Sequence, residues 1–178
     1  NSFITYALSK LIYGQYMQPT GIANLWNGDI SNLDVDHVNS NYTHVILILQ
    51  DQIRKKISYY DNVNYIAITE TIEKINLPFL VVSLGANSFA EDYDYNLHEK
   101  INPEFIHLLQ AVSSKCNSIG VRGYYTAEIL NKLGIKNVDV VGCPSFYESG
   151  KNRVITKRQI NNDSKIAITG SGNFSPQY

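Results

Sequence analysis

Residues 119–135 read IGVRGYYTAEILNKLGI, and this stretch decides the fold. It opens with a short apolar run that suits a buried strand, and from Thr126 its apolar residues recur at helical spacing until Gly134. Arg122 and Gly123 lie where the strand ends and the helix begins. A strand that leads directly into a helix is the unit from which parallel α/β sheets are built.

The same alternation of strand and helix extends over most of the chain. The patterns predict strands at residues 44–50, 79–85, 118–122 and 138–142. They predict helices within residues 2–13, 66–75, 102–116 and 126–134, and Thr69 is the expected start of the second helix. Asn102 and Pro103 suit the cap and first turn of the third helix. Residues 15–41 are predicted to be a loop with a short turn of helix. Because the strands are continuous apolar runs, we expect an α/β, Rossmann-like parallel sheet with helices on both faces.

Composition excludes several classes of protein. The 15 Lys and Arg residues are balanced by 16 Asp and Glu residues and are scattered, so we expect no nucleic-acid partner. The two cysteines are too few for a disulfide framework, which favours a reducing compartment. No apolar run approaches the length of about 20 residues that a spanning helix needs. No histidine or cysteine pair has the spacing of metal ligands, so no metal site is predicted.

A change of composition divides the chain. We predict an N-terminal Rossmann-like α/β domain over residues 1–148 and a polar linker over residues 149–164. Residues 165–178 open with a new apolar run at 166–169, which we interpret as the start of a truncated C-terminal α/β domain.

Three predicted strands are followed by residues that could bind a ligand. In open parallel sheets, ligands lie beyond the carboxyl ends of the strands, and these ends share one edge. The candidate substrate-binding residues at this edge are Gly85, Asn87, Ser88, Arg122, Gly123, Pro144 and Ser145. A plain turn with an Asn cap remains the alternative for residues 85–88. The acidic stretch at residues 91–95 is predicted to be a solvated loop beside this edge.

Arg122 is the candidate catalytic residue. Its guanidinium can bind a carboxylate or a phosphate through two parallel hydrogen bonds, and the helix start beside it also favours an anion. Gly123 would let a ligand approach the backbone closely. We expect Arg122 to face a cleft outside any ion pair, while pairing with Asp139 or Glu128 is the structural alternative. Cys143 has no histidine close in sequence and is interpreted as a packing residue.

The block at residues 119–147 resembles the polysaccharide pyruvyl transferase family. Its pattern is a strand that ends in Arg, a Ser or Thr shortly after it, a Leu-Gly helix end, and a Val-rich strand that leads into a Gly-Cys/Asp-Pro tip. The matching residues are Arg122, Thr126, Leu133, Gly134, Gly142 and Pro144. Residues 1–12 resemble the family's first helix, and residues 79–89 resemble a strand of the family and the tip that follows it. The resemblance departs at residues 51–53, DQI, where relatives often have a glycine-rich tip.

The resemblance implies two Rossmann-like domains facing a cleft, as in the B-type glycosyltransferases, with residues 1–148 forming the N-terminal domain. It implies transfer of the enolpyruvyl group of phosphoenolpyruvate to a sugar of a glycan, which gives a pyruvate ketal. Phosphoenolpyruvate would be the donor substrate, and no cofactor or metal is implied. The acceptor would be a glycan or a lipid-linked saccharide. We therefore predict a cytoplasmic enzyme, with peripheral association at the inner face of the membrane as an alternative.

Two other functions remain open from the residues alone. One is a B-type glycosyltransferase that uses a nucleotide sugar, since it would share the architecture. The other is a non-enzymatic α/β module that binds a glycan or a protein partner. Binding of phosphoenolpyruvate or of a nucleotide sugar separates the first from the predicted pyruvyl transferase. A deep cleft beside Arg122 would argue against the second, and a flat, filled strand edge would argue for it.

Overall fold

A computed structural model describes residues 2–16, 29–56, 63–88 and 93–148, together with residues 152, 154, 156, 159, 161 and 163. The strands are β1 (Val45–Ile48), β2 (Ile53–Arg54), β3 (Phe79–Leu84), β4 (Ala86–Asn87), β5 (Ile119–Val121) and β6 (Val138–Val140). The α-helices are α1 (Ser2–Tyr13), α2 (Val35–Asn41), α3 (Tyr65–Lys74), α4 (Pro103–Ser114) and α5 (Tyr124–Lys132). Short 3-10 helices occupy Asp29–Asn32, Leu97–Lys100 and Pro144–Tyr147.

Four strands form a parallel sheet in the order β1-β3-β5-β6, which confirms the predicted sheet. The main strands are neighbours in the same order in which the chain visits them. Each crossover therefore steps in one direction, and the crossover helices α3, α4 and α5 gather on one face. Their buried residues join those of the strands in one core cluster.

Helix α1 covers part of the opposite face. Ile4 and Leu8 of α1 pack against Val82 of β3, and these three residues form a second cluster. Val82 alternates along β3 with Val81, which belongs to the main core, so the two clusters lie on opposite sides of the sheet. The described residues thus confirm helices on both faces.

Continuous apolar runs such as those of β1 and β3 are typical of strands buried on both faces, and this expectation is wrong in part. Ile46 of β1 and Leu80 of β3 are each 44% exposed, although both belong to continuous apolar runs. They are cross-strand partners on the face that carries α1. The apolar run therefore predicted the strand correctly but overstated how much of this face the described residues cover.

The helix boundaries follow local caps. Helix α3 begins at Tyr65 and not at Thr69, because the Asn64 side chain accepts a hydrogen bond from the Ala67 amide at 3.0 Å. The predicted cap at Asn102 is confirmed, since its side chain accepts from the Glu104 amide. Helix α2 fills part of the predicted loop because Asp34 caps it by accepting from the His37 amide.

The predicted second domain from residue 165 and most of the predicted linker lie outside the described residues. The two-domain architecture therefore stays a prediction. Within the described residues, none of the helices is long and apolar enough to cross a membrane.

Candidate functional site

The carboxyl ends of β3, β5 and β6 meet at one edge of the sheet. The Arg122 amide, just after β5, donates to the Leu84 carbonyl at 2.8 Å. On the other side, the amides of Val141 and Gly142 donate to the Val121 carbonyl at 3.0 and 3.1 Å. The expectation that these three strand ends share an edge is confirmed.

The Arg122 side chain is held by two acceptors at this edge. Its Nη1 donates to Asp51 Oδ1 at 2.6 Å, and its Nε donates to Ser83 Oγ at 3.1 Å. The side chain keeps 27% of its surface exposed. Among the described residues, the remaining terminal nitrogen, Nη2, has no hydrogen-bond partner. Arg122 is therefore oriented in advance and still has donors for an anion.

The expectation that Arg122 lies outside any ion pair is wrong, and neither suggested alternative is its partner. Asp139 accepts instead from the Ser118 hydroxyl at 2.6 Å, and Glu128 pairs with Lys132 at 3.2 Å. Asp51 reaches Arg122 because β1 lies beside β3, which brings the loop after β1 over the end of β3.

Gly85 lies directly beneath the Arg122–Asp51 pair. A Cβ atom at this position would collide with Asp51 Oδ1 and would approach Arg122 Cδ to 3.3 Å. The absence of a side chain at Gly85 therefore leaves the space in which the two charged side chains meet, while its predicted ligand-binding role stays a prediction.

Ser83, which accepts the hydrogen bond from Arg122 Nε, has an unusual backbone conformation. It is fully buried, and its φ of 69° lies in the left-handed region that non-glycine residues rarely occupy. Such a conformation costs about 1–3 kcal/mol and is concentrated at functional sites. Here it accompanies the contact between Ser83 Oγ and Arg122 Nε.

Cys143, just after the end of β6, lies beside the group formed by Arg122, Asp51 and Ser83. Its Sγ lies 3.0 Å from Ser145 Oγ, and the side chain packs beside Ile4, Leu8 and Val82. Burial raises the pKa of the Cys143 thiol, but hydrogen bonds from Ser145, the positive charge of Arg122 and a hydrogen bond with Ser83 together lower the pKa below its usual value. The thiol thus packs against α1 and is also sensitive to the charge of the site.

The other predicted site residues surround this cluster less directly. Pro144 is buried at the start of a 3-10 helix that packs against α1. Asn87 ends the short strand β4, which pairs with β2, and Ser88 follows it; both are half-buried. Gly123 caps α5 with an extended φ of −167°, and the space beside it is open to at least 4 Å among the described residues. The ligand-binding roles of these residues stay predictions.

Thr126 connects the end of β3 to α5. Its hydroxyl accepts a hydrogen bond from the Ala86 amide at 3.0 Å, and the side chain is buried. This contact joins the predicted turn at residues 85–88 to the first turn of α5 beside Arg122. Among the residues that the structure describes, no three His, Cys, Asp or Glu side chains come together as a metal site requires.

The polysaccharide pyruvyl transferase family model matches residues 9–177, nearly the whole chain. The chain belongs to the polysaccharide pyruvyl transferase family. Comparisons with curated proteins and with solved structures gave no match. The family is one of transferases that act on polysaccharides, and a glycan is the acceptor it implies.

Two residues of this candidate site in the pyruvyl transferase chain could not be found from the sequence. Asp51 lies in the DQI segment where the chain departs from the glycine-rich tip of its relatives, and that departure is the signal that could have found it. Ser83 lies inside an apolar strand run, and nothing in its sequence context reveals a positive φ.

Proposed function

We propose that this protein transfers the enolpyruvyl group of phosphoenolpyruvate to two hydroxyls of a glycan sugar and so forms a pyruvate ketal. Family membership supports a pyruvyl transfer to polysaccharide. The observation that carries the choice of donor is Arg122, a partly exposed guanidinium oriented at the carboxyl edge of a parallel sheet. A small ligand that carries both a carboxylate and a phosphate suits such a cation.

The proposed reaction balances without an oxidant or a reductant. One sugar hydroxyl gives its proton to the medium while a proton adds to the methylene carbon of the donor, which becomes the ketal methyl group. Two sugar oxygens form bonds to C2, and the bond between C2 and the phosphate oxygen breaks. Phosphate leaves with that electron pair and with the proton of the second hydroxyl. The chemistry needs a general acid, a base and cations that steady the departing phosphate.

Arg122 would orient the donor or hold the leaving phosphate. Its Nε and Nη1 donors are fixed by Ser83 and Asp51, so the planar group does not have to be ordered when the donor binds. Lysine at this position would keep the charge but lose the planar arrangement of donors. We place the reaction in the cytoplasm, with a lipid-linked saccharide at the inner membrane face as one form of the acceptor. No cofactor is part of the proposal.

The test is phosphate release from phosphoenolpyruvate by the full-length protein, with and without glycan acceptors. We expect release only when an acceptor is present, and we expect Arg122→Lys to slow it about a hundredfold or more. Lys136→Arg is the matched control, because Lys136 lies before β6, at the end of that strand away from Arg122, and its Nζ donates to the Asn131 carbonyl. Circular dichroism of each variant checks the fold.

Two outcomes would contradict the proposal. Equal rates for wild type and Arg122→Lys would remove Arg122 from the mechanism. Turnover of a nucleotide sugar without turnover of phosphoenolpyruvate would instead establish the glycosyltransferase alternative.

A further inference from the structure

Three tyrosine rings form an exposed aromatic cluster beside the candidate site. Tyr93 stacks on Tyr125 with centroids 4.7 Å apart and planes 28° apart, and Tyr95 meets the same ring edge-on at 5.9 Å and 88°. Tyr93 nevertheless remains 66% exposed and Tyr95 51% exposed. We call Tyr93, Tyr95 and Tyr125 the tyrosine platform. Single exposed apolar residues are ordinary on a protein surface, but a group of exposed aromatic rings is typical of an interaction site.

The platform is held in place by bonds that do not require a ligand. The Tyr125 hydroxyl donates to the Asp94 carbonyl at 2.8 Å, and the Tyr125 ring packs against the main core. Lys132 donates to the Tyr95 carbonyl at 2.7 Å and lies over the Tyr95 ring at 5.7 Å. A ligand that binds these rings therefore loses little free energy in ordering them.

The position of the platform connects it to the strand ends. Tyr125 follows Arg122 by three residues, so their Cα atoms lie within roughly 11 Å of each other. Ser88, which follows β4 at the same edge, is hydrogen-bonded with the Tyr125 side chain. A ligand seated on the platform could thus reach Arg122 within the length of a short oligosaccharide.

The chemistry of the platform favours a saccharide over other ligands. A pyranose has one face of C–H groups, which suits the electron-rich face of a tyrosine ring, and hydroxyls around its edge, which suit the polar tips. A nucleic acid would need free cations for its phosphates. Two lysines beside the platform are already engaged, Lys100 by the Asp94 carboxylate at 2.6 Å and Lys132 by Glu128 at 3.2 Å.

We propose that the tyrosine platform is the binding subsite for the saccharide acceptor, with sugar rings stacked on the exposed faces of Tyr93 and Tyr95. The identity of the ligand as acceptor rests on the proposed function. The binding of a sugar to the platform does not, because it requires no donor and no turnover.

The test is titration of the full-length protein with short oligosaccharides of glucose, galactose and N-acetylglucosamine, each measured by calorimetry without phosphoenolpyruvate. We expect Tyr93→Ala and Tyr95→Ala to weaken the best-binding oligosaccharide roughly three- to tenfold each, the loss typical of one aromatic contact. Tyr93→Phe should keep most of the affinity that Tyr93→Ala loses, because it keeps the ring and removes only the polar tip. Tyr13→Ala is the matched control, since Tyr13 is 61% exposed at the end of α1 on the other side of the sheet.

The outcomes separate this proposal from the proposed function. Oligosaccharide binding that depends on Tyr93 in a protein that does not turn over phosphoenolpyruvate supports the platform and contradicts the pyruvyl transfer. Turnover with an acceptor KM that Tyr93→Ala leaves unchanged contradicts the platform alone. The platform is also overturned if no oligosaccharide binds, if Tyr13→Ala weakens binding equally, or if only a proline-rich peptide binds at Tyr93.

Discussion

Substitution of Gly85 by alanine should displace Asp51 from Arg122 without altering either charged residue. The new Cβ would occupy the space of Asp51 Oδ1, which lies at the end of a flexible side chain and can move away. The backbone of Gly85 does not lie in the left-handed region, so alanine is not strained there. The expected structural effect is therefore loss of one ion pair.

The magnitude follows from the exposure of that pair. Arg122 is 27% and Asp51 54% exposed, so the pair belongs with partly solvated pairs that contribute about 0.2–1 kcal/mol. Alanine in place of glycine stabilises by about 0.4–1 kcal/mol because the unfolded chain loses freedom. In the wild-type background the two effects nearly cancel. In an Asp51→Ala background only the stabilisation remains.

The assay is urea unfolding of the four proteins of this double-mutant cycle, compared at a common m-value. We expect a coupling free energy of about 0.2–1 kcal/mol between Gly85→Ala and Asp51→Ala, the contribution of the ion pair that Gly85→Ala breaks. Gly123→Ala is the matched control, because nothing described lies within 4 Å of its Cβ position, and its effect should be the same in both backgrounds. Equal effects of Gly85→Ala in the two backgrounds would refute the close approach on which the site description depends.

Three further predictions concern ionisable side chains. The pKa of Cys143 is lowered, which gives more thiolate at neutral pH, whereas burial raises the pKa of Cys116. Iodoacetamide should therefore alkylate Cys143 first. Mass spectrometry that finds Cys116 modified first would contradict this. Cys143→Ser should retain phosphate release because we assign the thiol to packing, and loss of activity with an intact fold would show that assignment to be wrong. The hydrogen bond from Lys100 holds the pKa of Asp94 below its usual value. The contact therefore stabilises the fold at pH values above the pKa of an unfolded Asp. This stabilisation is lost as the pH falls through the pKa of Asp94 in the folded protein. Carboxyl NMR should find the Asp94 pKa raised in Lys100→Gln, and an unchanged value would exclude Lys100 as the cause.

Much of the fold could be predicted from the sequence because its causes are local. The apolar runs of β1, β3 and β5 and the cap at Asn102 act over a few neighbouring residues, and each appears in the structure where the patterns indicated. The start of α3 was misplaced because Asn64, five residues before the expected start at Thr69, caps the helix with its side chain. Arg122 could be found because it directly follows an apolar run that enters a helix.

The partners of Arg122 depended on tertiary structure. The order β1-β3-β5-β6 places the loop after β1 beside the end of β3, and only this neighbourhood brings Asp51 to a residue 71 positions further along the chain. The positive φ of Ser83 likewise depends on the assembled site. A positive φ is expected from sequence mainly at glycine, so a serine gives no sign of it. The sequence by itself determined which residues form strands, which form helices and which follow their ends, since hydrophobic period and caps are local. Only the tertiary structure decided which of those residues touch, because contacts between strand ends are set by strand order and by the packing of helices on each face of the sheet.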